Sequence, residues 1–214
     1  MSRKRSMILA GASALCLLAA CTAKPADGAL PDGRVIFTER FDGTLGAFAD
    51  TSDGSYSIRS GELRVQGAHN HPLWLRTALP RDARIDFTAR SESPAVDIKV
   101  EAFGDGRSFA RTASYTATSY VVILGGWNNS RSIIARMNEH GEDRKVRTDP
   151  RGEVGRRYSF SVVRVGGRLT WYLDGALFLG FDDDAPLSGP GHEYFAFNNW
   201  ESEVYFDDLA IREL

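Results

Sequence analysis

Apolar and polar residues alternate strictly in two neighbouring segments of the chain. In residues 84–90 every second side chain is apolar, and residues 96–102 repeat the pattern with Asp97, Lys99 and Glu101 between the apolar positions. A period of two is typical of β-strands, whose successive side chains point to opposite faces. We therefore predict two half-buried strands, each with one face on a core and the other in water.

Three further strands are predicted between residues 158 and 181. The pairs Gly166-Gly167 and Asp174-Gly175 separate runs of apolar residues. Such two-residue pairs favour the tight turns of β-hairpins. The segment is therefore predicted to form a three-stranded meander.

The rest of the chain shows the same kind of patterning. Short runs rich in Val, Ile, Phe, Tyr and Thr are separated by Gly, Asp, Asn and Pro, and no stretch keeps a helical period. This predicts an all-β protein of about a dozen strands, with the spacing of a two-sheet antiparallel sandwich. Residues 34–214 are long enough to form a single domain with its own core.

The N-terminus has the anatomy of an export signal. Arg3, Lys4 and Arg5 precede an apolar run from Met7 to Ala20, which is a charged region followed by an apolar region of signal-peptide length. The run is too short to be a stable membrane-spanning anchor. Cys21 follows this run directly, and the four residues from Leu18 to Cys21, LAAC, resemble the lipobox of bacterial lipoproteins.

The lipobox resemblance implies that residues 1–20 are removed and that Cys21 carries a lipid anchor. Residues 21–33 have the composition of a flexible linker. Thr22 follows the cysteine, where an Asp would resemble an inner-membrane retention signal, so we expect an outer-membrane location in the cell envelope. The alternative is an ordinary secretory signal with a chance cysteine.

Charge and cysteine content narrow the classes of function. The formal net charge of −2 becomes −5 without the signal, because three basic residues leave with it and no acidic one does. Such a balance argues against nucleic acid as a partner. Cys16 lies within the signal, so the exported chain has one cysteine, no intramolecular disulfide, and a stability that depends on its core.

Four segments carry a resemblance to a known family. They are RLTWYLDGALF at 168–178, HEYFAFNNWESEVYFDDLAIREL at 192–214, FTERFDG at 37–43 and SGELRV at 60–65. Together they resemble the concanavalin A-like lectin/glucanase superfamily, which includes laminin-G-like modules and family 16 glycoside hydrolases. The resemblance implies a jelly roll whose first and last strands pair and whose concave sheet offers a groove to a saccharide.

The catalytic pattern of the family 16 hydrolases, Glu-x-Asp-x-x-Glu or its shorter form, is not found. Retaining glycosidases need two carboxyl groups about 5 to 5.5 Å apart, and the nearest candidates are residues 139–143, interrupted by Gly141, and residues 201–203, without the central Asp. We therefore favour a protein that is not an enzyme. In the enzyme alternative, Glu139, His140 and Arg136 would be the acid, the base and the charge stabiliser.

Two patches that join a Trp to a pair of Asn residues are candidate ligand sites. A Trp face can pack on the C–H surface of a sugar, and amides can bond its hydroxyls. The equally weighted alternative is that these residues are ordinary strand ends and core, because Asn favours turns and Trp is often buried. The candidate residues are Trp127, Asn128 and Asn129 in the first patch and Asn198, Asn199, Trp200 and Glu201 in the second.

Residues 132–140 are predicted to be a strand with a polar face. Arg136, Asn138 and His140 occupy alternate positions, which would place a cation, an amide and an imidazole on one side. That mixture suits the recognition of hydroxyl groups, and the first Trp patch lies only a turn away. The alternative is a solvent-facing strand with an ordinary Arg–Glu pair.

Two segments carry residues that suit metal ions. Asp182-Asp183-Asp184 has the oxygen ligands that Ca²⁺ takes, but a turn in which one Asp caps its own backbone is favoured. His69-Asn70-His71 lacks a third nearby ligand for zinc and precedes Pro72, so a loop is favoured. We therefore predict no cofactor, with a structural Ca²⁺ as the alternative that the family resemblance allows.

Three functions are compatible with these observations. The favoured one is a lipid-anchored envelope protein whose jelly roll binds an oligosaccharide or polysaccharide. The second is a glycoside hydrolase or polysaccharide lyase on the same fold. The third is a structural envelope lipoprotein without a small ligand, for which a groove filled by the protein's own side chains would be evidence.

Overall fold

The structure is a computed structural model and describes residues 29–49, 55–110 and 115–214. The predicted signal peptide, Cys21 and most of the predicted linker lie outside the described residues. Within the described ranges, no helix is long and apolar enough to cross a membrane.

Within the part of the chain that the structure describes, fourteen strands form two antiparallel sheets, in agreement with the predicted all-β class. A single short helical turn, Gly126–Asn129, is described besides them. The strands are β1 (Arg34–Glu39), β2 (Tyr56–Arg59), β3 (Glu62–Gln66), β4 (Leu73–Trp74), β5 (Ala83–Ser91), β6 (Ile98–Gly104), β7 (Tyr120–Gly125), β8 (Arg131–Arg136), β9 (Lys145–Arg147), β10 (Tyr158–Val165), β11 (Arg168–Leu173), β12 (Ala176–Asp182), β13 (Tyr194–Asn198) and β14 (Glu203–Glu213).

The two sheets form a jelly-roll sandwich. One sheet runs in the order β12-β11-β10-β5-β14-β3-β2, with β1 also paired to β14, and the other in the order β4-β13-β6-β7-β8-β9. The first strand pairs with the last along Arg34–Glu39 and Leu209–Glu213. The meander predicted at residues 158–181 is confirmed as β10, β11 and β12, joined at the two predicted hairpin turns.

Stacked aromatic rings fill much of the space between the sheets. Phe87 on β5 stacks on Phe160 of β10 with ring centroids 4.7 Å apart, and Phe160 in turn stacks on Trp171 of β11. From the other side, Phe197 of β13 packs on Phe206 of β14 at 4.5 Å. Large rings bury much apolar surface each, so this aromatic layer joins the two sheets without any disulfide.

The predicted alternation is confirmed in β5 and only half correct in β6. Ile85, Phe87 and Ala89 are buried in the core, while the residues between them are partly exposed. In β6 the face predicted to meet water is buried as well, with Lys99 2% exposed and Glu101 fully buried. Connecting segments fold over this face of the sheet, which a pattern along one strand cannot reveal.

The strand predicted over residues 132–140 is wrong in its second half. β8 ends at Arg136, and Met137 has a positive φ of 62° that breaks the strand geometry. Asn138 and His140 therefore lie in a turn instead of continuing one face with Arg136. A polar face of three alternating residues does not exist here.

Candidate functional site

The site lies on the outer face of the six-stranded sheet, by which we mean the face turned away from the core. Strand register aligns Asn198, Lys99, Ile123 and Ile133 across β13, β6, β7 and β8. All four are buried, and the two isoleucines belong to a small apolar cluster on this face. A charge in such a row requires partners, because an unpaired buried charge is strongly unfavourable.

Lys99 finds its partners on two loops that cover the sheet. Its Nζ donates to the Oε2 of Glu139, 2.5 Å away, and to the Oδ1 of Asn70. Asn70 is itself buried and has a positive φ of 66° in the β3–β4 loop. The ion pair therefore ties the centre of β6 to the turn after β8.

Asp97 lies beside this pair, just before β6. Its Oδ2 accepts the backbone N–H of Trp200 at 2.6 Å. Burial raises the pKa of the Asp97 carboxyl, and Lys99 acts in the opposite direction. The nearby carboxylates of Glu139 and Glu201 raise the pKa of Asp97 further. Asp97 thus lies close to the Lys99 ammonium and to two further carboxyl groups.

Glu101 is the next residue on this face of β6 and is completely enclosed. Its carboxylate accepts hydrogen bonds from the Ser119 hydroxyl at 2.6 Å, the Asn198 amide at 2.8 Å and the Tyr115 hydroxyl at 3.2 Å. Burial raises the pKa of Glu101 despite these donors and the nearby Lys99. Glu101 therefore anchors the segment that covers it and does not meet solvent.

Trp127 stands on a turn with unusual backbone geometry. Trp127, Asn128 and Asn129 all have positive φ, between 52° and 57°. Left-handed geometry is unfavourable for residues with a side chain, and persistent cases often occur at ligand sites. The half-buried indole meets the His140 ring edge-on at 5.5 Å, with the Arg131 guanidinium 5.4 Å from its centroid.

Trp200 has a matching environment on the other side of β6. It follows β13, whereas Trp127 follows β7, and β6 lies between those two strands. The His69 ring meets the indole of Trp200 edge-on at 4.9 Å, and the His69 Nε2 is 3.7 Å from the Oε1 of Glu201. Each Trp is thus supported by one imidazole.

The two Trp side chains and the Lys99 cluster enclose a cavity of about 390 Å³, which we call the Lys99 pocket. It is larger than a single side chain and lies near the lower end of the roughly 300–1,000 Å³ range of small-molecule sites. Its lining residues are Asn70, Ala95, Asp97, Lys99, Ile123, Gly126, Trp127, Asn128, Glu139, His140, Trp200, Glu201 and Ser202.

The pocket gathers members of both sequence patches. Trp127, Asn128 and His140 line it from one side, and Trp200 and Glu201 line it from the other. The two Trp–Asn patches therefore border the same cavity from opposite sides. Glu139, considered above only as a catalytic residue, also lines this cavity.

Other residues predicted to belong to the site form hydrogen bonds with backbone groups and do not line the pocket. The Asn129 amide donates to the Gly152 carbonyl at 2.7 Å and its oxygen accepts the Gly152 N–H. The Asn138 side chain accepts the His140 N–H at 2.9 Å and so closes the turn after β8. Asparagine commonly makes such local bonds in turns.

Asn198, Asn199 and Arg136 also lie away from the pocket lining. Asn198 bonds Glu101, and the Asn199 Oδ1 accepts the Ala68 N–H at 2.9 Å. The Arg136 Nε donates to the Oδ2 of Asp183 at 3.0 Å, and its Nη2 reaches the Ala185 carbonyl. Because the Arg136 side chain points towards Asp183, which directly follows β12, it does not join Glu139 and His140.

Asp97, Lys99 and Asn70 are the pocket residues that the sequence analysis missed. Asp97 and Lys99 were noted, but as part of a solvent-facing strand surface. Three ionisable residues at alternate positions, at 97, 99 and 101, within an otherwise apolar run were a usable signal, because buried charges occur where they pair. Their partners on distant loops could not be identified from that spacing.

The aspartate run at 182–184 contributes to local structure. The Asp183 Oδ1 accepts the Ala185 N–H at 2.9 Å, and its Oδ2 accepts the Tyr120 hydroxyl at 2.6 Å. Asp182 pairs with Arg168 across the β11–β12 hairpin. Among the described residues, no group of three or more His, Cys, Asp or Glu side chains is arranged to hold a metal ion.

Much of this region matches a known protein family. The family model described as "Farnesoic acid 0-methyl transferase" matches residues 82–207. The match covers more than half of the 214-residue chain. The chain belongs to this family.

The segment shared with this family runs from the start of β5 into β14 and carries nearly all of the site. Every residue that lines the Lys99 pocket falls within it except Asn70. Trp127 and Trp200, with the strands that position them, are therefore part of the shared domain.

One curated relative is an extracellular exo-alpha-L-arabinofuranosidase of Streptomyces chartreusis, which is 28% identical over 157 residues. The match covers 72% of this chain and 18% of the relative. The chain thus spans less than a fifth of that protein's length.

Solved structures share the fold at low identity. A Bacillus licheniformis β-glucanase superposes with a TM-score of 0.58 at 12% identity, over 86% of this chain and all of the other. A laminarinase from Flavobacterium sp. UMI-01 gives a TM-score of 0.58 at 8% identity, over 84% and 100%. The predicted jelly-roll fold is confirmed.

Proposed function

We propose that this protein binds a carbohydrate in the Lys99 pocket and is held at the cell envelope by a lipid on Cys21. The observation that carries the proposal is the position of Trp127 and Trp200, both half-buried, on either side of a polar cavity on the outer face of the sheet. Exposed indole surface beside fixed hydrogen-bonding groups suits a ring that has C–H faces and hydroxyl edges.

The polar groups of the pocket suit hydroxyl recognition. Glu139 and Glu201 supply acceptors, Asn128 supplies both a donor and an acceptor, and Lys99 supplies a donor. Sugar hydroxyls both donate and accept, so a mixed set of this kind can satisfy them. A purely apolar ligand would leave these groups without partners, which is unfavourable.

The comparisons support a glycan as the partner without naming it. The β-glucanase and the laminarinase share the fold, and the curated relative is named for arabinofuranoside cleavage. Since the chain spans only 18% of that relative, we propose the role of a binding module for this part. Linear arabinan and laminarin are therefore the first polysaccharides to test.

The test is an array of plant, fungal and bacterial glycans that includes arabinan and laminarin series, followed by calorimetry. We expect Trp127→Ala and Trp200→Ala each to weaken binding at least about fivefold, because stacking on an aromatic face contributes on the order of 1 kcal/mol or more. Tyr205→Ala is the matched control, since Tyr205 is a half-buried aromatic residue on the other sheet. Absence of binding across the whole array would contradict the proposal.

A glycosidase is the second candidate, favoured by one observation. Asp97, Glu139 and Glu201 all line the pocket, and burial raises the pKa of Asp97, a property useful in a proton donor. Arg136 has no part in this version, because it binds Asp183. A reducing-sugar assay on arabinan and laminarin tests it, with loss of product expected in Asp97→Asn if the activity exists.

Methyl transfer to farnesoic acid, which the family description names, suits the pocket less well. Farnesoic acid is a long apolar chain with a carboxylate, and three carboxyl groups in the lining would disfavour a further negative charge. Incubation with farnesoic acid and a methyl donor, analysed by mass spectrometry, is expected to give no methyl ester. Formation of the ester would overturn the carbohydrate proposal.

The proposed lipid anchor has an independent test. Metabolic labelling with a radioactive fatty acid should mark the wild-type protein and leave Cys21→Ala unlabelled, because the thiol of that cysteine is the proposed attachment point. Fractionation of the envelope should then recover the labelled protein with the outer membrane. Equal labelling of both proteins would exclude Cys21 as the anchor.

A further inference from the structure

Described residues cover the outer face of the six-stranded sheet on several sides of the Lys99 pocket. Between β6 and β7 the structure describes residues 105–110 and 115–119, and these two parts lie over part of this face. We call these two described parts the β6–β7 connection. Their position determines which part of a glycan can reach the pocket.

The second half of the β6–β7 connection closes the face above Glu101. Tyr115 and Ser119 both donate to the Glu101 carboxylate. Ala117 packs in the same apolar cluster as Val121 and Ala135, and all three are buried. The sheet surface next to the Lys99 row is therefore occupied by the protein's own side chains.

The first half of the connection closes the β4 side. The Trp74 indole N–H donates to the Ser108 carbonyl at 2.9 Å, and Trp74 is buried although it faces away from the core cluster. The Ala110 N–H donates to the carbonyl of Asn70 at 2.9 Å, so this segment also braces the residue that binds Lys99. Ala196, aligned with Trp74 on β13, is fully buried as well.

Trp127 closes the opposite side. Its indole packs against the apolar cluster that includes Ile123 and Ile133, and Ile133 is fully buried. Ile133, which follows Ile123 in the row across the sheet, is therefore covered, while Val146 beyond it on β9 is 46% exposed. The pocket floor is formed by Lys99 and Ile123. An extended glycan cannot lie across the strands without displacing either Trp127 or the β6–β7 connection.

We infer that the Lys99 pocket takes the terminal residue of a glycan chain, and that it does not take an internal segment of a polysaccharide. This inference rests on the proposed carbohydrate binding. The cavity of about 390 Å³ has room for one or two sugar rings. Among the described residues, the sheet surface is covered next to the pocket at Glu101, at Trp74 and at Ile133, which leaves no channel there for a chain that continues in both directions.

Length dependence of binding tests the inference. Calorimetry uses oligosaccharides of one to six residues from the arabinan and laminarin series and from any other series that binds in the array. We expect affinity to change by less than about threefold from the disaccharide to the hexasaccharide, since further residues lie outside the pocket. Titration of the parent polysaccharide should saturate at one protein per chain end.

End-modified oligosaccharides give a second measurement that needs no variant. One set has the reducing end reduced to an alditol, and the other has the non-reducing end capped by methylation. We expect one of the two modifications to weaken binding at least about tenfold, because the modified residue is the one enclosed by the pocket. The identity of that set shows which end is recognised.

The possible outcomes separate this inference from the proposed function. Affinity that rises more than about tenfold between the disaccharide and the hexasaccharide, with several proteins bound per polysaccharide chain and neither end modification mattering, would overturn terminal recognition while leaving carbohydrate binding intact. No binding to any glycan in the array would overturn both. Flat length dependence together with sensitivity to one end supports both.

Discussion

At the residue scale, the pocket is organised by the alternation of β6. Lys99 and Glu101 are alternate residues of β6 and lie on its outer face. Asp97 precedes the strand with a positive φ of 50° and lines the pocket from there. Burying one of them alone would be very unfavourable, and each is stabilised by partners from other segments. Glu139 pairs with Lys99, while Ser119 is the closest of the donors to Glu101.

Asp97 gives a pH-dependent prediction. Because burial raises its pKa above the ordinary value of 3.8, protonation of Asp97 is more favourable in the folded protein than in the unfolded chain. The corresponding stability is present below that value and is lost as the pH rises through the raised folded-state pKa. Asp97→Asn imitates the protonated form and can still accept the Trp200 N–H.

We therefore expect Asp97→Asn to increase the free energy of unfolding at pH 7 by on the order of 1 kcal/mol and to have little effect near pH 3.5. Urea denaturation of both proteins at the two pH values measures this difference. Glu142→Gln, at an exposed carboxyl group, serves as a control. A variant that is less stable than wild type only at pH 7 would show that the folded protein favours the ionised carboxylate.

At the scale of elements, the turn between β7 and β8 sets the position of Trp127. Three consecutive residues with positive φ turn the chain within one helical turn. Asparagine tolerates this geometry better than other residues with a side chain, and glycine tolerates it best. The choice of Asn at 128 and 129 is thus explained by the backbone as much as by any ligand.

Substitutions of Asn128 separate these two roles. We expect Asn128→Ala to lower the free energy of unfolding by about 1 kcal/mol and Asn128→Gly to leave it within about 0.5 kcal/mol of wild type, because only alanine adds a left-handed penalty. Thermal denaturation measures both. Glycan affinity should fall in both variants, since both lose the amide that lines the pocket; equal stability of the two would contradict the assigned backbone geometry.

The outer face of the eight-stranded sheet is held by an ion-pair network that links three strands. Glu62 on β3 accepts from Arg90 of β5 at 2.7 Å and from Arg157, next to β10, at 2.5 Å. Burial alone would raise the pKa of Glu62, but the two arginines outweigh it and lower the pKa below 4.5. The stabilisation is therefore present above that value and is lost as the pH falls through the lowered one.

Glu62→Gln tests this network. We expect a loss of about 1–2 kcal/mol in the free energy of unfolding at pH 7, because the carboxylate is largely buried between two cations. The difference from wild type should shrink as the pH is lowered from 5 to 3, measured by urea denaturation. Glu142→Gln should show no such trend, and a pH-independent difference for Glu62→Gln would mean that packing, not charge, is lost.

At the scale of the whole molecule, charge restricts the class of glycan. The pocket holds three carboxyl groups against one lysine. The chain carries a formal net charge of −2, which becomes −5 on removal of the proposed signal peptide. Both features disfavour anionic partners, since like charges repel most strongly where water is excluded. A neutral glycan fits the site better than a uronate.

We expect oligosaccharides of glucuronic acid to bind at least about tenfold more weakly than the glucose oligosaccharides of the same linkage. Glu201→Lys should narrow this gap, and the substitution is structurally mild because the Glu201 side chain is 69% exposed. Calorimetry at two salt concentrations measures both. Preferential binding of the uronate by wild type would refute the charge argument.

Much of the fold could be predicted because its signals are local. The period of two in β5, the Gly-Gly and Asp-Gly hairpins and the closing strand each depend on neighbouring residues. The Trp residues of the site were identified for a related reason, since Trp beside Asn is an unusual local combination. Arg136 and Asn199 were also assigned to the site, but in the structure they bind Asp183 and Ala68. Those partners are distant in sequence, so no local pattern could identify them.

By itself, the amino-acid sequence determined the all-β class, the sandwich and the hairpins, and it identified two Trp residues that line the Lys99 pocket. Those features follow from the period of hydrophobicity and from turn chemistry, which act over a few residues. Only the tertiary structure decided that the charged side of β6 is buried and that Asn70 and Glu139 are the hydrogen-bond partners of Lys99. It also decided that the β6–β7 connection leaves a pocket in place of a groove. These facts depend on contacts between segments 29 to 40 residues apart, as for Lys99 with Asn70 and Glu139, and no pattern along one strand encodes them.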